Sequence, residues 1–272
     1  MDSNEATADA SVDSPAAKDV RAWLDRNGYR LELRIARSLL TLGPAVEQGG
    51  QYLDAASDRL REFDVRASWG ILNQRRDYHS LNVVVECKNT QAPWILFVGG
   101  VDWTWGSTLP GDGIEPACEV CVDVGEGVVA EAVRNIEDWG YALTEKRNPG
   151  KGSSVDHARE AVLSAASATC SMTESVRKLS DPYFEDGPPK GYHYNVQYIP
   201  VVVTTSPIFA CALDGRGEIT LREVNIARVA ARPYPDSEMV PVVVARPEAF
   251  DGFIKRVISD ASTAAGSGWG RV

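Results

Sequence analysis

The run Leu81-Asn82-Val83-Val84-Val85-Glu86-Cys87-Lys88 is strongly apolar and β-branched, and it ends on two opposite charges one residue apart. Such text fits a pleated strand, where successive side chains point to opposite faces. Glu86 and Lys88 therefore share one face, and Val83, Val85 and Cys87 take the other. Upstream, Arg61-Glu62-Phe63-Asp64-Val65-Arg66-Ala67 alternates in the same way. That places Asp64 with Glu62 and Arg66, and Phe63 with Val65 and Ala67, and a polar connection joins the two strands. Charges drawn out of water are costly unless they are paired or bind a metal. A strand this apolar that ends on Glu86 and Lys88 marks a site.

If the two strands are neighbours, Asp64 and Glu86 face one small volume. Two hard carboxylates plus water suit Mg²⁺, which takes few protein ligands. Such an ion polarises a phosphoryl oxygen and lowers the pKa of bound water. Lys88 can orient or deprotonate that water, or offset charge in the transition state. These parts suit phosphodiester hydrolysis.

An Asp, a gap of about twenty residues and Glu-x-Lys on a strand resembles the PD-(D/E)xK, or restriction endonuclease-like, nuclease superfamily. The resemblance also takes in Tyr52-Leu53-Asp54 and Pro93-Trp94 and covers residues 29 to 98. It implies an α/β fold with an αβββαβ core, a central mixed sheet flanked by helices, and here a C-terminal β-hairpin extension. It further implies an Mg²⁺-dependent endonuclease (Mn²⁺ substituting) acting on DNA, with Asp64, Glu86 and Lys88 catalytic. Asp64, Glu86 and the intervening Cys87 form its metal set, and Glu32 of the first core helix is a further contributor. Phe63 stands where the name-giving Pro would precede the first Asp. Two rival readings are a non-catalytic scaffold or regulatory subunit on the same fold, and an RNA or nucleotide phosphodiesterase.

On its residues alone Glu32 has two readings. Ile35, Ala36 and Leu39 follow at helical spacing, so Glu32 lies along an apolar stripe. It either pairs with a nearby Arg at the edge of that stripe or reaches the metal, and the resemblance favours the second.

The net charge of −10 works against a phosphate-binding face. Part of it lies in the N-terminal residues, where Asp2, Glu5, Asp9 and Asp13 fall in a small-residue-rich tail with no apolar core. That composition reads as a disordered tail and not as a signal peptide or membrane span. The chain is expected in the cytoplasm, away from membranes. With no basic recognition module, DNA recognition falls to a protein partner, and a homodimer is a second expected arrangement. Five cysteines at irregular places argue against a disulfide framework. Cys118-Glu119-Val120-Cys121 has no second pair or spaced His, so it does not read as a zinc site. Gly125-Glu126-Gly127-Val128-Val129-Ala130 mimics a dinucleotide motif but lacks the surrounding βαβ unit.

Along the chain, helices are expected over 16–27 and 29–42, and strands over 46–53 and 92–98. Trp103 and Trp105 fall in a loop, as rim packing or as a surface for stacking on bases. A helix over 128–139 follows, then a Gly-rich loop over 147–154. Residues 154–179 form a long helix with Ser154 as N-cap and a small-residue stripe, followed by a loop over 180–194. Residues 198–205 are a strand buried on both faces, 209–224 a hairpin, 240–245 a strand and 247–262 a closing helix. A single domain over 16–262, with an insertion at 98–153, and a flexible end at 263–272 complete the expectation.

Overall fold

A computed structural model of the chain describes residues 14–54, 57–72, 77–98, 119–121, 129–146, 155–184, 193–235, 237 and 239–265. The acidic tail, Arg75 and Arg76, Trp103 and Trp105, Cys118, Gly125 to Val128, 147–154 and the last seven residues lie outside them.

Two helices open the structure, α1 (Pro15–Arg26) and α2 (Tyr29–Thr41). Ser14 caps α1 by accepting the Ala17 N–H, and Gly28 at φ 87° makes the turn between the helices. Leu31, Ile35, Ala36 and Leu39 form the buried face of α2. The next strands, β1 (Ala45–Asp54), β2 (Arg59–Leu72) and β3 (Asp77–Lys88), make an antiparallel meander. The polar connection expected between Ala67 and Leu81 is thus mostly strand. At its start Ser68 Oγ donates to Asn82 Oδ1 at 2.7 Å, and Asn82 Nδ2 donates to the Gln197 carbonyl.

Then come β4 (Trp94–Phe97), β5 (Glu119–Cys121), α3 (Val129–Arg134), β6 (Trp139–Gly140) and β7 (Ala142–Glu145). The helix expected over 128–139 ends at Arg134. Beyond it the Asp138 carbonyl accepts the N–H of Arg228, which draws the chain into a sheet instead. Next is α4 (His157–Phe184), capped by Asp156, whose Oδ1 accepts the N–H groups of Arg159 and Glu145. Asp156 does the capping work assigned to Ser154, which is outside the described residues. The helix also runs into the expected 180–194 loop.

The remaining elements are β8 (His193–Thr204), β9 (Ile208–Leu213), β10 (Ile219–Val224), β11 (Ile226–Ala231), β12 (Val240–Ala245) and α5 (Pro247–Ala265). Among the described residues, eight strands form a mixed sheet in the order β1-β2-β3-β8-β12-β11-β6, with β5 also paired to β8. A second sheet, β10-β9-β4-β7, takes the hairpin and β4. These strands neither extend the main sheet nor form a simple hairpin appendage. The unbroken apolar text of β8 is explained by its place between β3 and β12, parallel to both.

One face of the main sheet carries α2, α3 and α5, with Val65, Val83, Val85, Val201, Val243, Phe250 and Phe253 in its core. The other face is covered by α4 and the second sheet. The alanines of α4, Ala158, Ala161, Ala165 and Ala168, are buried against it, so the small-residue stripe lets the helix lie close. Among the described residues no helix is long and apolar enough to cross a membrane.

Candidate functional site

The β2–β3 ladder runs from Leu72↔Tyr78 to Val65↔Val85 and stops there. Past that pair, β2 continues beside β1 alone and β3 beside β8, so the strands part at Asp64 and Glu86. Asp64 fills the opening, its Oδ2 accepting the Cys87 main-chain N–H at 2.6 Å. The alternation expected of β2 also breaks there. Val65 and Ala67 pack under α2 and α5, whereas Phe63 joins Tyr52, Val84, Ala168 and Met172 on the α4 side. Opposite this break, Gly49 of β1 has φ 61°, and the Phe63 ring lies over Gly50. A glycine in the left-handed region lets a strand kink that an L-residue would resist.

Glu86 is buried, 8% exposed, on the α4 side. Its Oε1 meets Lys88 Nζ at 2.8 Å, and its Oε2 accepts Ser164 Oγ of α4 at 3.2 Å. Burial lifts the Glu86 carboxyl above its usual range, and the charge of Asp64 adds to this. Asp64 is likewise raised by burial, with the Cys87 N–H and Lys88 acting against it. Burial draws the Lys88 ammonium down, but the charge and hydrogen bond of Glu86, with the charges of Asp64 and Glu160, together hold it above the usual lysine value. Lys88 is therefore charged at neutral pH. Glu32 of α2 is pushed up to about 7, by burial first, then by Asp64 and Glu86.

The sequence-derived set Asp64, Glu86, Lys88 and Glu32 thus lies within one electrostatic neighbourhood. Cys87 stands apart from the others in kind. Its side chain belongs to the core under α2, and burial keeps the thiol protonated well above its ordinary value. What Cys87 supplies in this structure is its main-chain N–H.

On the α4 side a cleft of about 500 Å³ is bounded by Glu86, Lys88, Ser164, Ser167, Arg61 and Arg159. Asp64 and Glu32 lie outside that lining, whereas Glu86 and Lys88 are within it, with Asp156 and Glu160 adding negative charge to the wall. Ser164 escapes the sequence reading, although it sits three residues after Ala161 and four before Ala168, beside the stripe that faces the sheet. A hydroxyl at that edge was the available signal.

Among the described residues, no three or more His, Cys, Asp and Glu side chains are grouped closely enough to hold a metal by themselves. The donor set still fits a hard divalent cation bound largely through water. Mg²⁺ takes one or two carboxylates and keeps several waters, each carboxylate oxygen has a second lone pair, and an added cation would favour the charged forms that burial disfavours here. Comparison of the chain with protein-family models, with curated proteins and with solved structures finds no match.

Proposed function

We propose that this chain is a metal-dependent nuclease of the PD-(D/E)xK type, hydrolysing DNA phosphodiester bonds in the cytoplasm. One observation carries the reading: Asp64, Glu86 and Lys88 meet where β2 and β3 part, with Glu32 close enough to share their field. Carboxylates raised by burial first, and at Glu86 and Glu32 by the charge of Asp64 next, are a feature of functional sites. The order α2-β1-β2-β3-α4-β8 around them supports the αβββαβ arrangement of that superfamily.

Asp64 and Glu86 are the residues to hold Mg²⁺, which when bound supplies a polarised phosphoryl oxygen and a more acidic water. Lys88 stays charged, so its part is to orient the attacking water and offset negative charge building on the phosphoryl oxygens. Glu32, titrating near neutrality, is the group suited to accept the water's proton. Ser164 fixes the Glu86 carboxylate from behind. The acidic net charge leaves DNA recognition to a protein partner or a second copy.

The test is incubation of the purified chain with supercoiled and linear DNA in Mg²⁺, Mn²⁺ or EDTA, beside Lys88→Ala and Asp64→Asn. Metal-dependent nicking lost in both variants is the expected result. Absence of cutting together with no calorimetric Mn²⁺ binding by the wild type would sink the reading in favour of a scaffold.

A further inference from the structure

A second charged group lies away from the carboxylates, at the far side of the main sheet. Arg228 of β11 stands in one row with Val65, Val85, Val201 and Val243. At the usual strand spacing that is roughly 14 Å from Val85. Val229, Ala227 and Ala231 face the α4 side, so Arg228 turns to the face that carries α3 and α5. There its Nε and Nη1 are buried and make no hydrogen bond. Asp138, whose carbonyl takes the Arg228 N–H, has its own carboxylate engaged by Arg222.

An arginine is the wrong residue to leave in this state without a purpose. Buried polar nitrogens without partners are costly, and a buried charge without a counter-ion more so. A second guanidinium compounds it: after burial, the charge of Arg134 at the end of α3 is what depresses Arg228 from its ordinary value. The Trp139 position of β6 is paired directly beside Arg228. An oxyanion seated against the Arg228 guanidinium would satisfy its two orphan donors and supply a counter-charge. The planar fork of arginine matches the paired oxygens of a phosphate.

We propose that the Arg228 guanidinium forms a binding site for a phosphate group, either free or carried on a nucleic-acid strand. The site does not depend on the chemistry at Asp64 and Glu86 and holds whether or not that chemistry is nuclease chemistry.

The test is calorimetric titration of the full chain in EDTA, which leaves the carboxylate site unloaded. Inorganic phosphate is one probe and a 5′-phosphorylated oligonucleotide the other. The wild type is expected to bind at least one probe saturably, and Arg228→Met to weaken it by about tenfold or more, the loss of one good charged anchor. Arg228→Lys keeps the charge without the fork and should fall between; it also carries the comparison should the Met variant not fold. Binding of phosphate alone assigns the site to a free anion, and binding of the oligonucleotide lost in Arg228→Met assigns it to a strand. No saturable binding of either probe by the wild type, or unchanged binding by both variants, overturns the proposal.

Discussion

The Asp64 carboxylate accepts the main-chain N–H of Cys87 at 2.6 Å, standing in for the strand partner that β3 loses where β2 veers away. One side chain therefore ends the ladder and places a charge at its end. The backbone donor is satisfied, as buried N–H groups require, while the second carboxylate oxygen remains available for chemistry.

Asp64→Asn tests that double role. The amide carbonyl can still accept the Cys87 N–H, but a partly buried charge that burial disfavours is gone. Urea unfolding in metal-free buffer should show a gain of about 1 kcal/mol, the usual exchange of function for stability. Divalent-cation affinity, read by calorimetry, should fall sharply in the same variant.

Glu32 makes stability depend on pH in a definite direction. Its carboxyl moves from an ordinary value of 4.5 to about 7 in the folded chain. Between these values the folded state binds more protons than the unfolded one. The contribution of Glu32 is whole below pH 4.5 and is lost as pH rises towards the folded value. Urea midpoints of Glu32→Gln and wild type, compared across this window without divalent cations, should diverge in favour of Gln and run parallel above it.

Ser164→Ala removes the 3.2 Å hydrogen bond to Glu86 Oε2 and little else. Stability should drop by about 1 kcal/mol, the net value of one such bond. If the site is catalytic, metal affinity or turnover should fall by about 10-fold to 100-fold, as for other residues that orient ligands. Thermal unfolding and metal titration on the same preparation separate the two effects.

Gly50→Ala of β1 addresses the seating of Phe63 at the break in β2. A Cβ there would stand 2.1 Å from Cζ of Phe63 and 2.6 Å from Oε1 of Glu47. Displacing the ring should cost about 2 kcal/mol by denaturant unfolding, as overpacking does. Phe63→Leu in the same chain should recover part of that loss, a coupling expected of residues in contact.

Much of this structure is legible in the text of the chain. The meander β1-β2-β3, the doubly buried β8, the alanine stripe of α4 and the closing α5 all follow from apolar period and turn residues. What escapes are features set by partners far along the chain. Nothing local announces that Phe63 leaves the face of Val65, because the cause lies in Gly49 and Gly50 of the neighbouring strand. The sorting of β4, β9 and β10 into a second sheet is equally non-local, since an apolar strand carries no mark of which sheet it joins. The helix after Val129 stops early because Arg228, nearly a hundred residues on, takes the Asp138 carbonyl. At the site, Asp64, Glu86, Lys88 and Glu32 were readable as residue types in a pattern, whereas Ser164 and the main-chain role of Cys87 needed coordinates.

The order of assembly follows from the same connectivity. The contact between Asp64 and Cys87 spans 23 residues, but the Asn82 bond to Gln197 on β8 spans 115. Loop closure makes the short contact the quicker one. On that basis a hairpin holding Asp64 and Glu86 together is expected to form while that end is still bathed in solvent, before β8 and α4 arrive to bury it. The repulsion between the carboxylates is then felt late, in the barrier of the closing step. Dissolved divalent cation, by shielding them, should speed the last phase of refolding more than the first.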